Sequence, residues 1–340
     1  MMRDYLISFP MLGQGFVLEP PTSFSVFGFP VYYYGLIIGI GFLLALIYCL
    51  KRSRQFGITQ DSFTDVLLFA VPLAIVCARL YYVVFQWQDY ADNLMGIFNI
   101  REGGIAVYGS IIGAAIGTVI ACRWRKLSIG AVLDLGALGL LIGQSVGRWA
   151  NFVNREAFGS ETAVFWRMGL TNPGTGQTMY VHPTFLYESL WNFIGFLLLH
   201  FFTKKGKKHF DGQIFVMYAA WYGLGRMFIE GLRTDSLYIP GTLIRVSQLL
   251  AALSFVAAMV FLIIMLRRPY EPQRLWVNSP RAAQLAGVFP NVEISEINTA
   301  SPEESGAESH AAETLAEDAP KPETAEFGSD PEEAGRGESE

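Results

Sequence analysis

Seven apolar stretches dominate this chain, and each is long enough, or nearly so, to cross a membrane as a helix. A helix rises about 1.5 Å per residue, so about 20 apolar residues cover the roughly 30 Å of hydrocarbon in a bilayer. Hydrophobic residues make up 52% of the chain and charged residues only 16%, outside the usual balance of a soluble domain. The sequence therefore predicts an all-α membrane protein with seven transmembrane helices. The stretches are residues 31–50, 66–86, 105–122, 129–147, 184–203, 212–231 and 244–266.

Clusters of Lys and Arg follow every second stretch and predict the direction of the helices. If the seven helices alternate, all four clusters lie on one side, and the positive-inside rule assigns that side to the cytoplasm. The N-terminus is then outside and the C-terminus cytoplasmic. The clusters are Lys51, Arg52 and Arg54; Arg123, Arg125 and Lys126; Lys204, Lys205, Lys207 and Lys208; and Arg267, Arg268 and Arg274.

Three parts of the chain differ in composition. Residues 1–30 form an extracytoplasmic N-terminal segment, and residues 31–268 form the seven-helix body. Within the body, residues 148–183 are too long for a simple turn and predict a small extracytoplasmic head. Residues 269–340 form a cytoplasmic tail, which carries fifteen acidic and two basic residues from residue 282 onward. This tail has too few apolar residues to bury a core, so we expect it to be disordered.

The motif GRWANFVNREAFG, residues 147–159, begins where the fourth apolar stretch ends. It places Arg148, Asn151, Asn154 and Glu156 at the rim of a predicted span. Such side chains are costly to bury in lipid, so they indicate function more than packing.

The sixth stretch carries a polar face. Tyr222, Arg226, Glu230 and Arg233 are separated by four, four and three residues, so they share one side of a helix. At a rise of about 1.5 Å per residue, Arg226 lies roughly 21 Å from the cytoplasmic start of its span. This polar face is expected to line protein or a wet cavity in the outer half of the membrane.

Arginines interleaved with glutamates predict an anion site at the level of the outer lipid head groups. Arginine offers a fixed fork of donors, and carboxylates orient it and offset its charge when the site is empty. Each arginine also has a simpler explanation. Arg148 and Arg233 can reach water from near an interface, and Arg226 can form a purely structural ion pair with Glu230.

Other functional classes fit the sequence less well. A transporter or channel also buries charges, but it predicts polar residues through the full membrane thickness, whereas here they cluster at one depth. A membrane scaffold leaves the polar face of the sixth stretch unexplained. The chain has no HExxH motif, no P-loop and no Cys–His ligand set. We therefore expect no metal, no cofactor and no nucleic-acid partner.

Five motifs in order along the chain resemble those of the prolipoprotein diacylglyceryl transferases. The motif of residues 147–159 follows the family signature GRxxNFxNxExxG throughout. The resemblance covers about residues 20–268. The motifs are YYYGL (32–36), REGGIAVYG (101–109), GRWANFVNREAFG (147–159), HPTFLYE (182–188) and YGLGRMFIEGLR (222–233).

The resemblance implies an enzyme of the bacterial cytoplasmic membrane whose site faces the outer leaflet. Such an enzyme moves the diacylglyceryl group from phosphatidylglycerol to the lipobox cysteine thiol of a preprolipoprotein and releases glycerol phosphate. This is the first step of lipoprotein maturation. The implied partners are phosphatidylglycerol, lipobox signal peptides and membrane lipids.

The resemblance also implies roles for individual residues. Arg148 and Arg226 would hold the lipid phosphate, and Tyr34 and Tyr222 would orient the head group. Glu156 would order the signature loop. The remaining residues that we expect to contact substrate or complete the network are Gly103, Gly104, Asn151, Asn154, His182, Glu188, Glu230 and Arg233.

The group that removes the thiol proton stays open. Some relatives have a histidine, proposed as the base, where this chain has Tyr108. A tyrosine with an ordinary pKa of about 10 is a poor base at neutral pH. Tyr108 therefore either positions substrate or acts from a strongly perturbed environment, and Glu156 and Glu188 are the alternative bases.

Overall fold

The fold is a bundle of long helices with a small β-sheet at one end. It is described by a computed structural model over residues 4–13, 15–91, 93–99, 103–206, 208–234, 238–239, 241–242 and 244–287. Arg101, Lys207 and the acidic tail beyond residue 287 were singled out in the sequence and lie outside the described residues.

Each of the seven predicted stretches contains a helix. Within the described residues, six helices are long and apolar enough to cross a membrane. The exception is α6, whose polar face makes it less apolar than the others. The helices are α1 (Tyr33–Arg52), α2 (Gln60–Phe85), α3 (Val107–Arg125), α4 (Ile129–Asn154), α5 (Thr184–Lys204), α6 (Gln213–Glu230) and α7 (Val246–Leu266), followed by the short α8 (Pro280–Leu285).

Two helices are longer than their apolar stretches. Helix α2 begins at Gln60, because Thr59 caps its N-terminus by accepting a hydrogen bond from the Ser62 amide. Helix α4 continues through the signature motif to Asn154, so Arg148 lies on a helix and not in the predicted head. The expected start of the head at residue 148 is therefore wrong by seven residues, since β-structure and loops begin only after Asn154.

The all-α prediction is also incomplete, because the structure contains two small sheets. Four antiparallel strands pair in the order β2-β1-β5-β6. The N-terminal segment supplies β1 and β2, and the predicted head supplies β5 and β6. The strands are β1 (Leu6–Ser8), β2 (Val17–Leu18), β5 (Met168–Thr171) and β6 (Thr178–Val181); a separate hairpin consists of β3 (Ser23–Val26) and β4 (Phe29–Tyr32).

The four-stranded sheet marks what we call the head end of the bundle. Its side chains Ile7, Leu170 and Val181 pack with Phe185 of α5 in a small apolar core. Strand β6 leads directly into α5, and α4 precedes β5 in the chain. The sheet therefore fixes the positions of α4 and α5 at the head end. The opposite end, which carries the Lys and Arg clusters, is the basic end.

Helices α2 and α3 pack closely along a row of glycines. The spacing of Gly109, Gly113 and Gly117 predicted close helix packing, and this prediction is confirmed. A Cβ atom on Gly113 would lie 2.2 Å from the carbonyl oxygen of Leu73. The row therefore admits no side chain larger than hydrogen.

Helices α5 and α6 are joined by a reciprocal pair of tryptophans. The rings of Trp191 and Trp221 stack with centroids 4.3 Å apart. Each indole N–H donates to the backbone carbonyl of the other residue at 2.9 Å. Gly195 and Gly225 leave room for the rings, because a Cβ atom on either would lie within 2.4 Å of an indole nitrogen. This pair sets the register of α6 against α5.

The segment after α7 differs from the sequence expectation of disorder from residue 269. Its Leu275 and Ala282 are buried. The Trp276 indole donates to the carbonyl oxygen of Gly57 at 2.8 Å, and the Trp276 amide donates to Asp211 Oδ2 at 2.8 Å. The chain is thus folded onto the basic end as far as residue 287, because it supplies the apolar side chains that cover the turn after α1.

Replacing Gly113 by Ala is expected to destabilise the protein by about 1–3 kcal/mol, because the added methyl group overlaps the α2 backbone. Gly39→Ala in α1 is the matched control, since nothing lies within 4 Å of the added atom. Thermal unfolding in detergent, followed by circular dichroism, measures both. Equal melting temperatures for the two variants would contradict close packing of α2 on α3.

Two truncations test the folded segment at the basic end. A chain that ends at residue 287 is expected to keep its melting temperature, because the residues removed have too few apolar side chains to form a core. A chain that ends at residue 271 is expected to melt at a lower temperature, because it loses the buried Leu275 and Ala282. Indistinguishable melting of the two truncations would show that the segment does not stabilise the bundle.

Candidate anion site

Glu188, in the second turn of α5, is the point where three arginines meet. Only 4% of its side chain is exposed. Its Oε2 atom lies 2.6 Å from Nη2 of Arg148, on α4. Its Oε1 atom lies 2.9 Å from Nη1 of Arg226, on α6, and 3.5 Å from Nη1 of Arg233, in the chain after α6. One carboxylate thus connects three segments of the chain.

Glu230 is the second carboxylate of the cluster. Its side chain is 2% exposed, and its Oε2 atom lies 2.5 Å from Nη2 of Arg226. The same oxygen lies 3.8 Å from Nε of Arg233. The Glu230 carbonyl oxygen also accepts a hydrogen bond from Arg245, which precedes α7. Arg226 and Glu230 thus lie one turn apart on α6 and form an ion pair, as their spacing predicted, whereas Arg233 lies beyond the end of the helix and still reaches both carboxylates.

We call these five side chains the arginine cluster. The members are Arg148, Arg226, Arg233, Glu188 and Glu230. An incoming anion can compete with the two carboxylates for the guanidinium donors. Arginine forks suit the oxygens of a phosphate or carboxylate.

The signature segment adds a chain of polar contacts at the rim of the cluster. Arg148 Nη1 donates to Asn151 Oδ1 at 3.4 Å, and Asn151 Nδ2 donates to Glu156 Oε1 at 2.9 Å. Asn154 Nδ2 donates to the other carboxylate oxygen at 3.5 Å. Glu156 is exposed. Tyr34 lies on the first turn of α1, and among the described residues no hydrogen bond joins it to this segment. The hydrogen bonds thus bring the four polar residues of the signature segment together.

Arg155 in the same segment was missed by the sequence analysis. It is buried, has a left-handed φ of +50°, and ends α4. Its Nε atom donates to the carbonyl oxygen of Tyr5 at 3.0 Å, and its Nη1 atom donates to that of Val153 at 2.7 Å. Burial lowers the pKa of the Arg155 guanidinium. The residue ties the N-terminal segment to the end of α4, a contact between distant residues that no local pattern reveals.

His182 and Tyr222 have different surroundings. His182 Nδ1 is 3.1 Å from the Tyr187 hydroxyl, which accepts a hydrogen bond from Trp166 Nε1 at 2.7 Å. Burial lowers the pKa of His182 below its ordinary value. Tyr222 lines a small cavity with Glu188 and Arg226.

Tyr108, Gly103 and Gly104 lie apart from the arginine cluster. Tyr108 is 41% exposed on the first turn of α3, with its ring 6.5 Å from that of Tyr81. Among the described residues, no hydrogen bond or ion pair joins Tyr108 to the cluster. The carbonyl oxygens of Gly103 and Gly104 accept hydrogen bonds from Arg79. In the part of the chain that the structure describes, no group of three or more His, Cys, Asp or Glu residues could hold a metal ion.

The fold and the cluster together define a helical membrane protein with buried arginine–glutamate ion pairs at one end of its bundle. A family model gives this class a name, because the model for prolipoprotein diacylglyceryl transferase matches residues 21–264. The chain belongs to the prolipoprotein diacylglyceryl transferase family, as its five motifs predicted.

Individual relatives agree with the family match. The chain is 44% identical over 242 residues to the phosphatidylglycerol–prolipoprotein diacylglyceryl transferase of Bacillus cereus strain G9842, and the match covers 69% of this chain and 88% of the relative. A protein of the same name from Bacillus anthracis is also 44% identical over 242 residues. The chain is accordingly an enzyme of the transferase class.

Replacing Glu188 by Gln is expected to lower the free energy of unfolding by about 3–5 kcal/mol, because three guanidinium groups lose their shared counter-charge. Glu161→Gln, at an exposed position in the head, is the control. Melting temperatures in detergent measure the effect. A Glu188→Gln protein as stable as the control would show that Glu188 does not hold the cluster together.

Proposed function

We propose that this protein transfers the diacylglyceryl group of phosphatidylglycerol to the cysteine thiol of a prolipoprotein. The names of its relatives support this substrate pair. The observation that carries the proposal is the convergence of Arg148, Arg226 and Arg233 on Glu188. The phosphate of phosphatidylglycerol offers the anionic oxygen acceptors that suit guanidinium donors.

The proposed reaction is a displacement at the glyceryl carbon that bears the phosphate ester. The thiol sulfur forms a bond to this carbon, the carbon–oxygen bond breaks, and its electron pair leaves with glycerol phosphate. Negative charge therefore grows on the phosphate as the bond breaks. Arg148 and Arg226 are placed to stabilise that charge, because guanidinium donors fixed in advance cost no reorganisation during the reaction. Tyr34 and Tyr222 would orient the head group.

The thiol proton needs an acceptor, because a cysteine with an ordinary pKa of about 8.5 is mostly protonated at neutral pH. Both carboxylate oxygens of Glu188 are already bonded to arginines. Glu156 is exposed, and its carboxylate accepts hydrogen bonds from the side-chain amides of Asn151 and Asn154. We therefore favour Glu156 over Glu188 as the base, with Tyr108 positioning substrate.

The proposed orientation places the head end outside the bacterial cytoplasmic membrane and the basic end in the cytoplasm. It rests on the Lys and Arg clusters and requires α6 to be a seventh span. Despite its polar residues, α6 can cross lipid because Arg226 and Glu230 face protein and form ion pairs. Lipobox cysteines, which arrive at the outer surface, would then meet the arginine cluster.

Arg226→Lys is expected to abolish most transfer while the protein stays folded. Lysine keeps the charge but loses the two-pronged contact with phosphate, and it cannot bind Glu188 and Glu230 at once. Arg123→Lys, at an exposed position of the basic end, is the matched control. The measurement is the attachment of lipid to a lipobox peptide by purified protein supplied with phosphatidylglycerol. Turnover near that of the control would remove Arg226 from the site.

Tyr108→Phe separates the two roles open to this residue. Loss of one positioning hydrogen bond corresponds to about 0.5–1.5 kcal/mol, so activity should fall by roughly tenfold or less. Loss of the base should lower activity by about a hundredfold or more. We expect the smaller effect, and we expect Tyr108→His to be active. Two results together would make Tyr108 the base. Tyr108→Phe would be inactive, and the activity of the wild-type protein would rise at high pH as a group there loses its proton.

A further inference from the structure

Arg79 is bound differently from the arginines of the cluster. It lies near the head end of α2 and is only 6% exposed. Its guanidinium donates five hydrogen bonds, all to backbone carbonyl oxygens at 2.8–3.2 Å. The acceptors are the carbonyl groups of Gly96, Ile97, Asn99, Gly103 and Gly104.

These hydrogen bonds use every donor that Arg79 has. A guanidinium group carries five N–H bonds, so none is left for a phosphate. Arg148 and Arg226 instead bind carboxylates, with which an incoming anion can compete. The charge of Arg79 is offset by carbonyl dipoles and by the ring of Tyr90, whose centroid lies 5.1 Å away. Arg79 is therefore not part of an anion site.

The carbonyl groups that bind Arg79 belong to two segments between α2 and α3, residues 94–99, which begin with a short 3-10 helix (Leu94–Phe98), and residues 103–106. The side chains of these segments are largely apolar and point outward. Met95 is 77% exposed and Phe98 is 79% exposed. Large exposed apolar side chains continue onto the helices, with Val84 and Phe85 on α2 and Ile111 and Ile112 on α3; Leu94, Ile105 and Val107 extend the same surface. We call residues 94–99 and 103–107 the apolar loop.

We propose that the apolar loop lies within the lipid leaflet at the head end and that Arg79 holds it there. Carbonyl groups outside an α-helix have no water to bind in lipid, and leaving them without a hydrogen bond is unfavourable there. Arg79 donates to five carbonyl groups at once, of which that of Gly96 also accepts from the Asn99 amide. A loop in water would have solvated carbonyl groups and would not need such an internal donor.

A lipid leaflet fits this surface better than a docked peptide. The exposed apolar side chains of the loop are continuous with those of α2 and α3, both of which are apolar enough to span a membrane. The surface is thus an extension of one that already faces lipid, and it is present before any substrate arrives.

The same contacts make Arg79 a positioning residue for the start of α3. Gly104 has a φ of +76°, and a Cβ atom there would lie 2.3 Å from Nη1 of Arg79. Two residues later, the Ala106 amide donates to the carbonyl oxygen of Ala78 at 3.1 Å. Tyr108 follows on the first turn of α3. Holding the loop against α2 therefore fixes where Tyr108 lies relative to the membrane surface.

A fluorescent label at residue 98 tests the depth of the loop. Cys49, Cys77 and Cys122 are replaced by Ala in the full chain, and an NBD group is attached through Phe98→Cys. The protein is placed in lipid nanodiscs, with or without brominated acyl chains. The same label at Thr175→Cys, in the exposed turn between β5 and β6, is the control for a water-facing position.

We expect brominated lipid to quench the label at residue 98 and a water-soluble quencher to miss it, with the reverse at residue 175. Arg79→Lys should shift the label at residue 98 toward the behaviour at residue 175, because an ammonium group has too few donors for five carbonyl groups. Arg123→Lys should leave the label unchanged. These readouts do not depend on transferase activity, so they are independent of the proposed function.

Three outcomes would overturn the proposal. A label at residue 98 that is open to the aqueous quencher would place the loop in water. Shielding that appears only after a lipobox peptide is added would make the loop a peptide-docking surface. An Arg79→Lys protein with unchanged lipid quenching would show that Arg79 does not hold the loop. If Arg79→Lys fails to fold, Gly104→Ala disturbs only one end of the contact and serves in its place.

Discussion

Glu188 keeps three arginine side chains close together at one end of the bundle, and the candidate site depends on that carboxylate. Guanidinium groups repel one another, and the repulsion is stronger when they are withdrawn from water. Glu188 reaches Arg148, Arg226 and Arg233 at 2.6, 2.9 and 3.5 Å. The ion pairs therefore fix α4, α5 and α6 relative to one another.

Helix α6 is held at its other end by a second buried carboxylate. Asp134 on α4 is fully buried and accepts hydrogen bonds from the amides of Gly212 and Phe215 at 2.9 and 3.0 Å. It therefore caps the N-terminus of α6 from a neighbouring helix, where Gly212 has no side chain to do so. Lys208 lies 3.3 Å from the same carboxylate. With Asp134 at the basic end and Glu188 at the head end, the polar face of α6 cannot rotate away from α4 and α5.

The sequence predicted what depends on composition and local spacing. The seven helices follow from the length of the apolar stretches, and the pairing of Arg226 with Glu230 and the glycine row of α3 follow from residue spacing. The contacts between distant segments did not. Pairing of β1 with β5 joins residues near 7 to residues near 170. Strand β1 has only three residues, which is too few for a sequence pattern to predict a strand. The role of Glu188 as a hub requires three helix ends to meet. In the sequence, nothing distinguishes Arg79 from the other arginines of the apolar stretches. Its partners are backbone carbonyl groups, which no sequence pattern reveals.

The central claim is that the arginine cluster is the phosphate site of a lipid-using transferase. An experimental structure with phosphatidylglycerol bound in a nanodisc tests it most directly. The account predicts phosphate oxygens within about 3 Å of guanidinium nitrogens of both Arg148 and Arg226, the usual length of a charge-assisted hydrogen bond. It also predicts that Arg79 keeps its carbonyl partners. A bound lipid whose phosphate contacts neither Arg148 nor Arg226 would contradict the account.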